Sequence, residues 1–196
     1  LVPAPPYVRP SQAGIVAWFT ALADASRVPL IVYDIPYRTG ATMSLPTLMQ
    51  LAAHPRIVAI KDCGGDIAKT LALIADGRLQ VLAGEDLQMF ATVAQGGSGA
   101  IAASGHVQTR RFVELLRRLA VSDLAGARKL WLPLVPLIEA MFDEPNPAVI
   151  KAGLARHGEM TRTLRAPMQA ASAEAAARLE RLDAELGACP LMTRDT

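Results

Sequence analysis

The sequence reads as an α/β protein built on a parallel sheet, and three observations predict this. Short apolar runs rich in β-branched residues recur at 28–33, 56–62, 79–86 and 99–104. Segments with helical spacing and recognisable caps lie between them. The two kinds alternate with a period of about 20 to 28 residues, as in βα units. The runs are apolar throughout rather than alternating, which means strands covered on both faces. This leaves a doubly wound sheet or a (β/α)8 barrel.

The elements follow in order. "LVPAPPYVRPSQ" opens as if in mid-strand, and "SQAGIVAWFTALADAS" (11–26) has the spacing of a helix. "SRVPLIVYDIP" carries a strand from Val28 to Tyr33, closed by Pro36. In "SLPTLMQLAAH" (44–54), Ser44 is the expected N-cap and Pro46 falls in the first turn. "RIVAIKD" (56–62) is the next strand. "DIAKTLALIADG" (66–77) starts at Asp66 as N-cap and stops at Gly77. "LQVLAGED" (79–86) is a strand, "DLQMFATVAQGG" (86–97) a helix with Asp86 as its cap, and "GAIAAS" (99–104) a strand. "QGGSG" (95–99) precedes a strand and opens no helix, so it is a turn and not a phosphate loop. From residue 107 the pattern is helical: "TRRFVELLRRLAVS", "DLAGARKLWLPLVPLIEAMF", "NPAVIKAGLARHG" and "SAEAAARLERLDAEL". The expected organisation is a barrel portion at 1–106, helices at 107–187 and a frayed tail at 188–196.

Composition narrows the function. With 52% apolar and 19% charged residues, the chain has a real core and is not disordered. A net charge of +2, with scattered basic residues and few aromatics between them, argues against nucleic acid. No apolar run approaches the roughly 18 residues of a membrane span. Cys63 and Cys189 lie far apart, so a disulfide scaffold is not expected and a reducing cytoplasm is the default. No secretory leader pattern is present at Leu1.

The chemistry concentrates at strand ends, where parallel α/β architectures place their sites. Lys61 ends "IVAIK". A lysine in an apolar mouth is desolvated, which favours the neutral amine that attacks a carbonyl and forms a Schiff base. The alternative is a lysine that snorkels past the strand end to solvent. Tyr33 ends the preceding strand at the equivalent place, about 5 Å away across a parallel pair. Its phenol can relay protons to such an intermediate, or be a core tyrosine tied to a carbonyl. Arg38, in "PYRTG", suits a carboxylate gripped by paired hydrogen bonds, or is an ordinary exposed loop arginine. Gly84 permits close approach of a ligand at the end of its strand. His54, His106 and His157 lack metal-ligand spacing.

Taken together, "PPYVRPSQ", "VYDIPYRTG", "VAIKD", "VLAGED" and "FDEPNPAVIK" resemble the dihydrodipicolinate synthase family, from Leu1 to about Leu186. That family belongs to the class I aldolase superfamily that also holds N-acetylneuraminate lyase. The resemblance implies a (β/α)8 barrel with a C-terminal helical extension. It implies a Schiff-base lyase that condenses pyruvate with aspartate 4-semialdehyde in lysine biosynthesis, using no metal or organic cofactor. The Schiff-base lysine falls on Lys61, the proton-relay tyrosine on Tyr33 and the carboxylate-binding arginine on Arg38. Tyr7 matches the tyrosine that reaches into a neighbouring subunit's site, so a homodimer or homotetramer is implied. Backbone near Gly84 and Ile101 belongs to the pyruvate site.

The sequence also departs from the family pattern. Asp34 stands where Asn is usual, Tyr37 replaces a small residue, and "KDCGGD" replaces "KEATGD" or "KDSTGD". Family members carry about 100 residues before this point, in keeping with the roughly 250 of a whole barrel. Those residues include the first three strands and a Thr-Thr pair that binds the pyruvate carboxylate. The chain is therefore expected to run from the end of strand four to strand eight. The alternatives are a sister aldolase or dehydratase of sugar acids, or an inactive fragment.

Overall fold

A computed structural model describes residues 1–188. The expected frayed tail, apart from residue 188, and Cys189 lie outside the described residues. The chain divides into two compact units, Leu1–Ile101 and the residues from Ala102 onward. No helix among the described residues is long and apolar enough to cross a membrane.

The first unit is α/β. Its strands are β1 (Val2–Pro3), β2 (Leu30–Asp34), β3 (Ile57–Asp62), β4 (Gln80–Ala83) and β5 (Gly99–Ala100). All neighbouring pairs are parallel and the spatial order is β1-β2-β3-β4-β5. A doubly wound sheet reverses its strand order at a switch point, and these strands show no reversal. The helices are α1 (Gln12–Ala25), α2 (Pro36–Thr39), α3 (Leu45–Leu51), α4 (Ile67–Asp76) and α5 (Met89–Ala94).

Local chemistry sets the helix ends as the sequence predicts. The Ser44 side chain accepts from the Thr47 N–H, with Pro46 in the first turn of α3. Asp66 accepts from the Lys69 N–H at 3.1 Å. Gly77 ends α4 with φ +73°, a left-handed position that suits glycine, and its N–H donates to the Leu73 carbonyl. The core is the layer between helices and sheet, where Ile15 and Phe19 of α1 and Leu48, Leu51 and Leu73 meet Val32, Ile60 and Val81. The other sheet face carries Tyr33, Lys61 and Leu82, all half-buried.

The structure corrects the expectations in three places. The segment 86–97 opens with a tight 3-10 turn, Asp86–Gln88, before α5 begins, so Asp86 lies inside that turn and does not cap the helix. The strand expected at 99–104 is Gly99–Ala100, and the ladder continues only through the Ile101 N–H to the Ala83 carbonyl at 2.9 Å. "PYRT" forms α2, where a simple loop was expected. Pro36 opens it and Gly40, at φ +72°, closes it.

The second unit is helical: α6 (Thr109–Ala120), α7 (Leu124–Met141), α8 (Ala148–Arg156) and α9 (Ala173–Ala188). α7 packs on α6 and α9, and α8 on α9. Asp183 of α9 is buried and accepts from Gln108 Nε2 at 2.6 Å, with His157 Nε2 at 2.8 Å.

Candidate active site

Parallel pairing brings the ends of β2, β3 and β4 side by side. Tyr33 is the register partner of Lys61, and Lys61 that of Leu82. Equivalent positions on paired strands share a face, so the lysine and the phenol point into the same space. Lys61 Nζ lies 4.3 Å from the centroid of the Tyr33 ring. Both side chains are only half-buried, which leaves the amine accessible to a small carbonyl compound.

The ladder runs past the strand ends. The Cys63 N–H donates to the Asp34 carbonyl at 2.8 Å, and the Gly84 N–H to the Asp62 carbonyl at 2.9 Å. These bonds place Cys63 beside the end of β2 and Gly84 beside the end of β3. A side chain at Gly84 would not fit: its Cβ would lie 2.4 Å from Cys63 Sγ and 2.8 Å from Lys61 Cγ. Glycine is therefore needed here for close approach of β3 to β4, not for an unusual φ.

Burial, reinforced by Cys63, pushes the Tyr33 hydroxyl well above its usual range. Burial and the Glu85 carboxylate push the Cys63 thiol up to about 12. Burial, then Glu85, raises Tyr37. At neutral pH these three groups are therefore protonated. Glu85 keeps its Oε1 oxygen buried with no hydrogen-bond partner.

Arg38 sits at the C-terminal end of α2, exposed, with its guanidinium 5.6 Å from the Tyr37 ring centroid. That geometry sets the planar guanidinium over an aromatic ring. Tyr7 stands apart from this group. Its side chain is 93% exposed, and its N–H donates to the Thr39 carbonyl at 3.2 Å. Thus Lys61, Tyr33 and Gly84 converge, Ile101 flanks β4 through Ala83, Arg38 is exposed on α2, and Tyr7 is exposed on the loop that bonds to α2.

Sequence reasoning left three participants out of the site. Cys63 lies two residues after Lys61, Glu85 one after Gly84, and Tyr37 one before Arg38. Their signal was position relative to those three residues, not residue type. A fourth, Lys69, lies behind the site: its Nζ is 2.6 Å from Asp34 Oδ2, with both side chains buried. A cavity elsewhere, in the second unit, is lined by His106, Arg111, His157 and Asp183. Among the described residues, no group of three or more His, Cys, Asp or Glu is placed to hold a metal ion.

The model of the dihydrodipicolinate synthetase family matches residues 1–185. A 4-hydroxy-tetrahydrodipicolinate synthase of Exiguobacterium is 38% identical over 182 residues, covering 91% of this chain and 62% of that protein. The dihydrodipicolinate synthase of Aquifex aeolicus superposes with a TM-score of 0.91 at 28% identity, covering 95% of this chain and 64% of that one. The chloride-inhibited enzyme of Acinetobacter baumannii, solved with pyruvate, superposes with a TM-score of 0.90 at 29% identity. It covers 94% of this chain and 64% of that one. The chain thus spans less than two thirds of the length of the relatives it matches.

Proposed function

Since the chain belongs to the dihydrodipicolinate synthetase family, we propose that it carries the Schiff-base half-site of a 4-hydroxy-tetrahydrodipicolinate synthase. In this reading β1 is the end of barrel strand four, and β2 to β5 are strands five to eight. The substrates are pyruvate and aspartate 4-semialdehyde. The observation that carries the proposal is the amine of Lys61 held 4.3 Å from the Tyr33 ring at paired strand ends.

The steps follow from the placement of the groups. The Lys61 amine attacks the keto carbon of pyruvate and water leaves, giving an imine. Tyr33 moves the protons of these steps and of the tautomerisation to an enamine. The enamine carbon attacks the aldehyde, whose carboxylate Arg38 holds at the rim by paired hydrogen bonds. Gly84 and Ile101 supply backbone at the pyruvate site, and cyclisation releases the product. Tyr7, exposed on a loop, is assigned to the site of a second copy in a homodimer or homotetramer. The reading places the enzyme in the cytoplasm.

The test is reductive trapping. Incubation with pyruvate and borohydride, followed by peptide mass mapping, is expected to show the pyruvyl adduct on Lys61 and none in Lys61→Ala. No adduct in the parent chain overturns Schiff-base chemistry here. For the second substrate, Arg38→Ala is expected to raise KM for aspartate semialdehyde without changing pyruvate trapping. Unchanged kinetics, or turnover only of sugar-acid aldehydes, overturns the synthase assignment. Tyr7→Phe is expected to lower turnover of the assembled enzyme, and unchanged turnover removes the cross-subunit role.

A further inference from the structure

Tyr33 and Lys61 can act together only if their spacing holds, yet each stands near the end of its strand. Past Lys61 the chain runs through Asp62 and Cys63 into Gly64 and Gly65, which have no side chains to pack. Successive side chains of a strand point to opposite faces. Asp34 and Asp62, register partners one step beyond Tyr33 and Lys61, therefore point to the other face of the sheet. There the start of α4 meets both. Lys69 Nζ donates to Asp34 Oδ2 at 2.6 Å and to the Met43 carbonyl at 3.2 Å. Thr70 Oγ1 donates to Asp62 Oδ2 at 2.5 Å, a nearer and stronger acceptor than the Asp66 carbonyl at 3.0 Å. The Gly64 N–H holds the other Asp62 oxygen at 2.8 Å. Asp34, Asp62, Lys69 and Thr70 are all buried.

A buried ion pair is often no more stabilising than well-packed apolar side chains of similar volume. What it adds is direction, because charge-assisted bonds fix both distance and angle. Successive residues of one helical turn thus grip two neighbouring strand ends, Lys69 behind Tyr33 and Thr70 behind Lys61. We propose that Lys69 and Thr70 are positioning residues for the Schiff-base reaction, a two-point brace that sets the Lys61 amine and the Tyr33 ring at their 4.3 Å spacing. This rests on the Schiff-base reading above. The brace transfers no proton and touches no substrate. It acts on how well amine and phenol are aligned when the imine forms and its methyl group loses a proton. A misplacement of about 1 Å in such a pair costs on the order of 100-fold in rate.

Two measurements test the brace. The first is exchange of the pyruvate methyl protons in D2O at saturating pyruvate, followed by NMR, which needs amine and phenol together. Asp34→Leu with Lys69→Met removes both charges of the pair and is expected to slow exchange about 100-fold while the protein remains folded. Thr70→Val, of nearly the same shape, is expected to slow it about 10-fold, on the same scale, and Thr70→Ser to recover most of that loss. In a Tyr33→Phe background the Asp34, Lys69 double replacement is expected to cost little more, since no phenol is left to misplace. A purely structural effect would multiply there. Parent-like exchange in the folded double or in Thr70→Val, failure of serine to rescue, or the full loss repeated in Tyr33→Phe overturns the brace. If the double does not fold, the Thr70 variants decide. The second measurement needs no substrate. The chain has four lysines. With their ε carbons labelled with 13C, the methylene proton signal that disappears in Lys61→Ala is expected upfield in the parent, shifted by the Tyr33 ring. It is expected to move towards the ordinary lysine position in the double and in Thr70→Val. An unmoved signal overturns the brace. Absence of imine in the parent chain overturns the Schiff-base reading instead, and the lysine signal then decides the brace alone.

Discussion

Replacing Lys69 by Met should destabilise the protein more than any surface charge change, and the cost can be worked from its surroundings. Lys69 is 5% exposed and Asp34 fully buried, with Nζ and Oδ2 2.6 Å apart. Nζ also donates to the Met43 carbonyl at 3.2 Å. A second carboxylate lies beside this pair. Asp62 accepts from Thr70 Oγ1 at 2.5 Å and from the Gly64 N–H at 2.8 Å. The three groups crowd around Gly64, where a Cβ would meet Nζ at 2.6 Å, Asp34 Oδ2 at 2.9 Å and Asp62 Oδ1 at 3.0 Å. Removing the one cation leaves Asp34 buried and unpaired, with its Oδ1 already lacking a partner. Breaking a buried pair from one side costs about 3–5 kcal/mol. For a chain of this size that lowers Tm by roughly 6–20 °C.

The pH dependence follows. Burial raises the Asp34 carboxyl above its usual range although Lys69 pulls it down. Without Lys69 it rises further. Between the ordinary carboxylate range and this raised value, the folded state holds a proton that the unfolded chain does not. Lys69→Met should therefore lose stability as pH rises through that window, at up to about 1.4 kcal/mol per pH unit. Replacing both residues together, Asp34→Leu with Lys69→Met, removes both desolvated charges and should recover much of the loss. Denaturant unfolding of the parent, both singles and the double across a pH series reads all of this. A Lys69→Met cost below about 1 kcal/mol, far under the range for a buried pair, or zero coupling in the cycle, would refute the reasoning.

Three further outcomes are expected. Gly84→Ala sets a Cβ 3.0 Å from the Asp62 carbonyl oxygen as well as against Cys63 and Lys61; because backbone must shift, it should cost about 1–3 kcal/mol and abolish Lys61 trapping, as read by unfolding and mass spectrometry. Tyr33→Phe keeps the ring against Lys61 but removes the proton carrier, so the trapping rate should fall by about 10²–10⁴ with little change in Tm. The Cys63 thiol, buried and raised to about 12, should resist iodoacetamide at pH 8, react after denaturation, and label faster as pH rises, since only the thiolate reacts; peptide mapping checks it.

What could be read in advance divides along a physical line. Whatever depends on a few neighbouring residues was legible: the caps at Ser44 and Asp66, the stop at Gly77, and the apolar runs of β2, β3 and β4. Strand order was legible only through the family resemblance, since an apolar run does not by itself say which run it pairs with, and the ladder is what separates a sequential sheet from a doubly wound one. The pairing of Tyr33 with Lys61 was foreseeable because both end adjacent parallel strands, where register and position coincide. Cys63 and Lys69 lay beyond such reading, since their roles come from partners far along the chain. Glu85, which helps to raise the Cys63 thiol, follows it by more than twenty residues, and Lys69 meets Asp34 across 35. Yet each of these contacts touches a departure from the family pattern. Asp34 in place of Asn supplies the partner charge for Lys69, and Glu85 helps to raise both Tyr37 and Cys63 of "KDCGGD". The double replacement of Asp34 and Lys69 asks whether the first of these departures is coupled to its neighbour.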